Sequence, residues 1–141
     1  MISSNFAKRA VVGSVVAILI LTILEFPPPI GFETRPQSNV SPFWFVFFIS
    51  ILIIEIATIP MIYQRPRMGA RLGILAAVLN IVQVIADQAH LMQPEVIPFW
   101  YSVLEGTVVL ASLALAYFSW LVLRSERRFE RLPTKQEVIH E

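Results

Sequence analysis

Four apolar runs of about 20 residues each limit what this chain can fold into, because a helix of that length spans the ~30 Å hydrocarbon core of a bilayer. The chain has 141 residues, of which 56% are hydrophobic and 15% charged, with a mean hydropathy of +0.68. Such a composition excludes an ordinary soluble domain. The predicted fold is an all-α, integral membrane four-helix transmembrane bundle. It forms a single domain at 1–123, with spans at about 6–26, 43–63, 70–92 and 97–123, followed by a charged tail at 124–141.

The basic residues are predicted to lie almost entirely on one side of the membrane. Of the eleven Lys and Arg residues, all but Arg35 precede the first span, separate the second from the third, or follow the fourth. Because cytoplasmic loops carry the excess of Lys and Arg, both termini are predicted to be cytoplasmic. This topology indicates a multi-pass protein of a bacterial-type plasma membrane. It explains the arginines by contact with the lipid bilayer, without a nucleic-acid partner.

The third apolar run carries a polar stripe. Asn80, Gln83, Asp87 and His90 follow at i, i+3, i+7 and i+10, which places them within roughly 80° of one helix face. Such a face is not stable against lipid, so the other helices are predicted to pack on it. Small residues continue the face toward the start of the run and allow a close approach of neighbouring backbones. They are Ala76, Gly73 and Gly69.

Two glutamates lie inside other spans. Counted from the predicted outer ends, Glu55 lies ~18 Å deep and Glu105 ~12 Å deep. A charge at the bilayer centre costs ~2.5 to 3.5 kcal/mol on insertion scales, so these carboxyl groups must be paired, protonated or hydrated. We therefore predict a polar cavity that opens outward. Its predicted ligand-binding residues are Asn80, Gln83, His90, Tyr101 and Thr58.

The same residues allow several functions. The leading hypothesis is a ligand-binding or accessory membrane subunit, with a larger membrane complex or a second copy of the chain as partner. An alternative is an enzyme in which Glu55, Asp87 and Glu105 act as acid and base on a lipophilic substrate. A proton relay through the intramembrane carboxylates is a third. For Asn80 and Gln83, interhelical hydrogen bonding at ~0.6 kcal/mol per bond is an equally simple interpretation.

The sequence predicts no metal site. Without cysteine, the chain lacks disulfides, thiolate nucleophiles and cysteine metal ligands. Asp87 and His90 have the i, i+3 spacing of di-metal bundles, but those sites need two such pairs and two further carboxylates. His90 is instead predicted to lie hydrogen-bonded near the outer boundary of the membrane.

One stretch resembles a known family. The run EIATIPMIYQRPRMGARLG, at 55–73, is similar to the centre of the DoxX-like small four-span membrane proteins. Shared features are an acidic residue in the second span, a short arginine-bearing turn, and a Gly-Ala and Gly pattern that opens the third. Members of that group are accessory proteins or are linked to quinone-dependent oxidation. The resemblance therefore implies a redox membrane complex as partner, a quinone as cofactor and a role for Glu55.

Overall fold

The computed structural model describes residues 4–25, 41–92 and 97–129 of the chain. These residues form four α-helices and no β-strand. Each helix is long and apolar enough to cross a membrane, which confirms the prediction of an all-α chain with four such helices. The helices are α1 (Ser4–Glu25), α2 (Pro42–Gln64), α3 (Pro66–Gln88) and α4 (Phe99–Phe129).

The helices form an up-and-down bundle in which each packs beside the next in sequence, and α4 returns to pack on α1. α1 also approaches α3 across the bundle, whereas the backbones of α2 and α4 do not come close to each other within the described residues. The helix stripe that faces inward is apolar on α1, because Val11, Val15 and Ile18 are fully buried. The core therefore runs along the bundle axis.

The charged side chains are segregated along the bundle. We use "basic end" for the end formed by the starts of α1 and α3 and the ends of α2 and α4. An ion pair there joins Lys8 Nζ of α1 to Glu126 Oε1 of α4 at 3.8 Å. The predicted loop with Arg35 and the tail beyond Phe129 lie outside the described residues. The described basic side chains all lie at the basic end: Lys8, Arg9, Arg65, Arg67, Arg71, Arg124 and Arg127.

Two helix boundaries differ from the sequence prediction. α3 covers Pro66–Gln88 rather than 70–92, because Pro66 occupies its first turn, where a proline costs no hydrogen bond. α4 continues to Phe129, beyond the predicted end of the membrane span at residue 123, since residues 124–129 contain neither glycine nor proline. At the start of α2, Ser41 is the N-cap: the backbone N–H of Phe43 donates to Ser41 Oγ at 3.3 Å, and Pro42 follows in the first turn.

The earlier end of α3 has a specific cause in His90. Its φ is 56°, in the left-handed region, so the helix cannot continue through it. The N–H of His90 donates to the carbonyl of Asp87 at 2.8 Å, and the N–H of Leu91 donates to that of Ala86 at 2.9 Å. These two bonds form a Schellman motif, in which His90 takes the position that glycine usually occupies. His90 therefore ends the helix and does not extend the polar stripe.

Two glycines of α3 allow its neighbours to approach closely. A Cβ atom on Gly69 would collide with the backbone of Ile62 in α2. A Cβ atom on Gly73 would collide with the hydroxyl oxygen of Ser119 in α4. Both glycines are buried, so the small residues predicted to face the bundle do so and bring both neighbours against α3 near the basic end.

Candidate functional site

A hydrogen bond between two helices fixes the first carboxylate. Asn80 of α3 donates from Nδ2 to Oε1 of Glu55 in α2 at 2.6 Å. Glu55 is only 1% exposed and Asn80 only 7%, so the pair is removed from the bundle surface. A buried polar group of this kind costs free energy unless it is hydrogen-bonded, and the amide meets that need for one carboxylate oxygen.

The second carboxylate lies across the bundle on α4. Glu105 is buried, and its Oε2 accepts a short hydrogen bond from Nε2 of Gln88 in α3. The same Nε2 lies 3.1 Å from Oγ of Ser102, one turn before Glu105 on α4. Each glutamate is thus held by a side-chain amide of α3: Asn80 donates to Glu55 and Gln88 donates to Glu105.

Both carboxylates line one small cavity in the interior of the bundle. The space open to the centre of a water molecule measures about 20 Å³, which is enough for a single water. Its polar lining comes from Glu55, Asn80, Gln83, Glu105 and Thr22 of α1. The rest of its wall is apolar and consists of Phe48, Ile51, Leu52, Val84 and Val108.

Gln83 supplies an acceptor in this cavity. Its Oε1 is buried and accepts no hydrogen bond from the described protein atoms. The cavity that Gln83 lines has room for a water molecule. The cavity is therefore lined by two carboxyl groups and two amide side chains and has room for one water molecule.

The structure separates the predicted site residues into two groups. Asn80 and Gln83 line the cavity together with Glu55 and Glu105. The other predicted residues are not in its lining. Asp87 is buried farther along α3, and His90 is exposed in the turn that follows.

Thr58 and Tyr101 serve local structure. The Thr58 hydroxyl is fully buried and donates to the carbonyl of Ile54 at 2.8 Å, one turn back in α2. Tyr101 is half-buried and packs edge-to-face on Trp100, with ring centroids 5.6 Å apart. Neither side chain reaches the cavity that the two glutamates share.

Three contributing residues were not predicted from the sequence: Gln88, Ser102 and Thr22. Gln88 lies about 80° from Asn80 around α3, outside the polar stripe, so the periodicity argument misses it. The role of Gln88 follows instead from the antiparallel register of α3 and α4. Because Gly73 lies against Ser119, Gln88 lies opposite Glu105. Thr22 lies in an apolar run and carries no sequence signal of its own.

The arrangement brings carboxyl and amide groups together around a space of about 20 Å³. Within the described residues, no three His, Asp or Glu side chains gather into a group that could hold a metal ion. Carboxyl groups, amides and a water-sized space are instead the components that hold and transfer protons. Comparison of the chain with protein-family models, curated proteins and solved structures finds no match in any of the three.

Proposed function

We propose that this chain is a multi-pass membrane protein that binds a proton, together with water, at the glutamate pair between α2 and α4. The observation that carries the proposal is the shared cavity. Glu55 and Glu105 belong to helices whose backbones are not close in the described part of the chain, yet both side chains line the same water-sized space. Two carboxyl groups at one site share a proton because two adjacent negative charges repel each other.

The charge distribution supports a bound proton at Glu55. Among described basic residues of α3, Arg71 is the one nearest to Asn80, and it lies nine residues away, or ~13 Å along the helix axis. An ionised carboxylate in the interior of a membrane costs ~2.5 to 3.5 kcal/mol on insertion scales, and a proton removes that charge. The amide of Asn80 satisfies one carboxyl oxygen in either state.

The size of the cavity favours a proton and water over a larger ligand. Pockets for small organic molecules usually measure ~300 to 1,000 Å³, whereas this space measures about 20 Å³. A lipophilic substrate or a quinone ring does not fit it. The resemblance of residues 55–73 to DoxX-like proteins supports a further step of the proposal: the chain is an accessory subunit of a quinone-linked complex, with the quinone held by the partner.

The segregated charges support an orientation with the basic end in the cytoplasm of a bacterial-type cell and the two glutamates nearer the outer side. A reporter fused after Glu141 should then read cytoplasmic, and a reporter inserted at Ser38 should read external. The reverse pair of readings would contradict the proposed orientation. Two cytoplasmic readings would contradict the proposal that α1 crosses the membrane.

The proton-binding proposal is tested by infrared difference spectroscopy of the protein reconstituted in liposomes. The unmodified chain should show the C=O stretch of a protonated carboxyl group that persists at a pH where exposed glutamates are ionised. Glu55→Gln and Glu105→Gln keep the shape and the hydrogen-bonding capacity of the side chains but remove the titrating group. Each substitution should diminish the signal, and the double substitution should abolish it.

Glu126→Gln is the matched control, because Glu126 lies at the basic end and forms an ion pair with Lys8. That variant should keep the signal. A signal that survives the double substitution would contradict the proposal, as would a double variant that complements a deletion strain fully. Equal melting temperatures of parent and variants in detergent establish that the substitutions act on protonation and not on folding.

A further inference from the structure

A groove at the basic end has no part in the carboxylate site. Its volume is about 680 Å³, and it runs along the first turns of α3, with Glu126 of α4 at its edge. We infer that this groove binds the headgroup of an anionic phospholipid. The inference rests on the proposed membrane insertion of the chain, but not on the proposed proton site.

Three arginine side chains lie along the groove. Arg65, Arg67 and Arg71 line it within the space of seven residues. The guanidinium group presents paired N–H donors in a planar fork that matches two oxygens of a phosphate. A cluster of arginines at the predicted level of the lipid headgroups therefore matches the phosphate of a lipid better than it matches a carboxylate on a mobile peptide.

The single acidic residue of the groove does not cancel this charge. The Glu126 carboxylate lies 3.8 Å from the ammonium group of Lys8 on α1. The ion pair is neutral as a unit, so Arg65 and Arg71 leave the groove with a net positive charge. A zwitterionic headgroup compensates that charge less completely than a headgroup with a net negative charge does.

An apolar floor continues from the charged part toward the middle of the bundle. Met68, Leu72 and Leu75 line the groove beside the arginines, and Met68 and Leu75 are nearly half exposed. Beyond Leu75 the exposed side of α3 carries further apolar side chains at helical spacing, which are Val78, Val82 and Ile85. The groove thus has an amphiphilic lining, with phosphate-binding groups at one end and acyl-chain contacts along the rest.

Native mass spectrometry in a neutral detergent tests the inference with dioleoyl phosphatidylglycerol as the probe. The unmodified chain should bind this lipid more tightly than dioleoyl phosphatidylcholine, which has the same acyl chains. Each arginine near a lipid phosphate contributes ~1 kcal/mol, so Arg65→Gln with Arg71→Gln should weaken phosphatidylglycerol binding by about 30-fold. Binding of phosphatidylcholine should change little.

The matched control is Arg9→Gln with Arg127→Gln, which removes the same charge from exposed residues at the same end but outside the groove. It should keep the preference. If both double variants weaken phosphatidylglycerol binding equally, the groove is not a specific site, and the lipid is attracted by the overall positive charge of the basic end. Displacement of the lipid by millimolar inorganic phosphate would show a site for a free anion instead.

Two further results distinguish lipid binding in the groove from membrane insertion and from proton binding at the glutamate pair. Release of the chain from membranes by an alkaline carbonate wash would contradict membrane insertion itself. Lipid selectivity in a chain that lacks the infrared signal of a protonated carboxyl would leave the groove site standing and refute only the proton site. Unchanged circular dichroism and melting curves confirm that the arginine variants are folded.

Discussion

The two halves of α3 use the same helix face in opposite ways. Near the basic end, Gly69 and Gly73 leave no room for a Cβ atom, so α2 and α4 lie directly against the α3 backbone. Seven residues after Gly73, Asn80 occupies nearly the same angular position and holds Glu55 through its amide. Beside it, the water-sized cavity opens. We call these regions the glycine half and the carboxylate half.

The two halves show how a mostly apolar bundle holds polar side chains in its interior. Close packing in the glycine half fixes the positions of α2 and α4 against α3. In the carboxylate half, amide side chains of α3 instead donate hydrogen bonds to the carboxyl groups of α2 and α4. The glycine half is thus expected to determine stability, and the carboxylate half to determine chemistry.

The largest effect is expected for Gly69→Ala. The added Cβ meets the backbone of Ile62, which cannot rotate away, so α2 and α3 must separate. We expect a loss of about 3 kcal/mol in the free energy of unfolding, at the upper end of the usual range for overpacking. Thermal or denaturant unfolding in detergent measures it. Gly106→Ala is the control, because nothing lies within 4 Å of the added atom. A similar loss of stability there would contradict the role of close packing at Gly69.

A second prediction concerns the carboxylate half. Asn80→Leu leaves the buried Glu55 carboxyl without its donor and should cost about 2 kcal/mol of unfolding free energy. Adding Glu55→Leu removes the unsatisfied group, so the double variant should regain most of that loss. A double-mutant cycle of unfolding free energies measures the coupling. Additive losses would show that the 2.6 Å contact does not stabilise the bundle.

A smaller loss is expected from Gly73→Ala, because its Cβ meets the end of a side chain rather than a backbone. We expect about 1 kcal/mol, at the lower end of the overpacking range. Ser119→Gly removes the obstructing hydroxymethyl group and should restore part of the stability in the double variant. Failure of this rescue would indicate that α3 and α4 do not approach each other at this level.

The smallest expected effect is a gain at the end of the carboxylate half. His90→Gly places the residue that best tolerates a φ of 56° at the position after the α3 cap, and should stabilise the chain by about 0.5 kcal/mol. His90→Val, which is β-branched, should destabilise it. Melting temperatures measure both changes. Loss of the infrared carboxyl signal in the stable glycine variant would restore His90 to the functional site.

The sequence by itself determines the helices and the inward face of α3. The length of the apolar runs predicts four membrane-length helices, since length and composition are local properties. Helical periodicity predicts that Asn80 and Asp87 lie inside, and both are buried, while Ile85 on another face is 62% exposed. The cap at Ser41 follows from the residue types alone, because an N-cap needs only the residues next to it.

Only the tertiary structure decided which polar residues meet. Gln88 pairs with Glu105, and Asp87 stays out of the cavity, because the register of two helices depends on side-chain sizes on both. The end of α3 depends on one residue adopting a left-handed backbone conformation, which periodicity does not encode. The volume of the cavity depends on how all four helices pack, so it cannot be predicted from any single segment of the sequence. Helical periodicity predicts which face of a helix a side chain lies on. The register and the spacing of neighbouring helices are determined by the contacts between them.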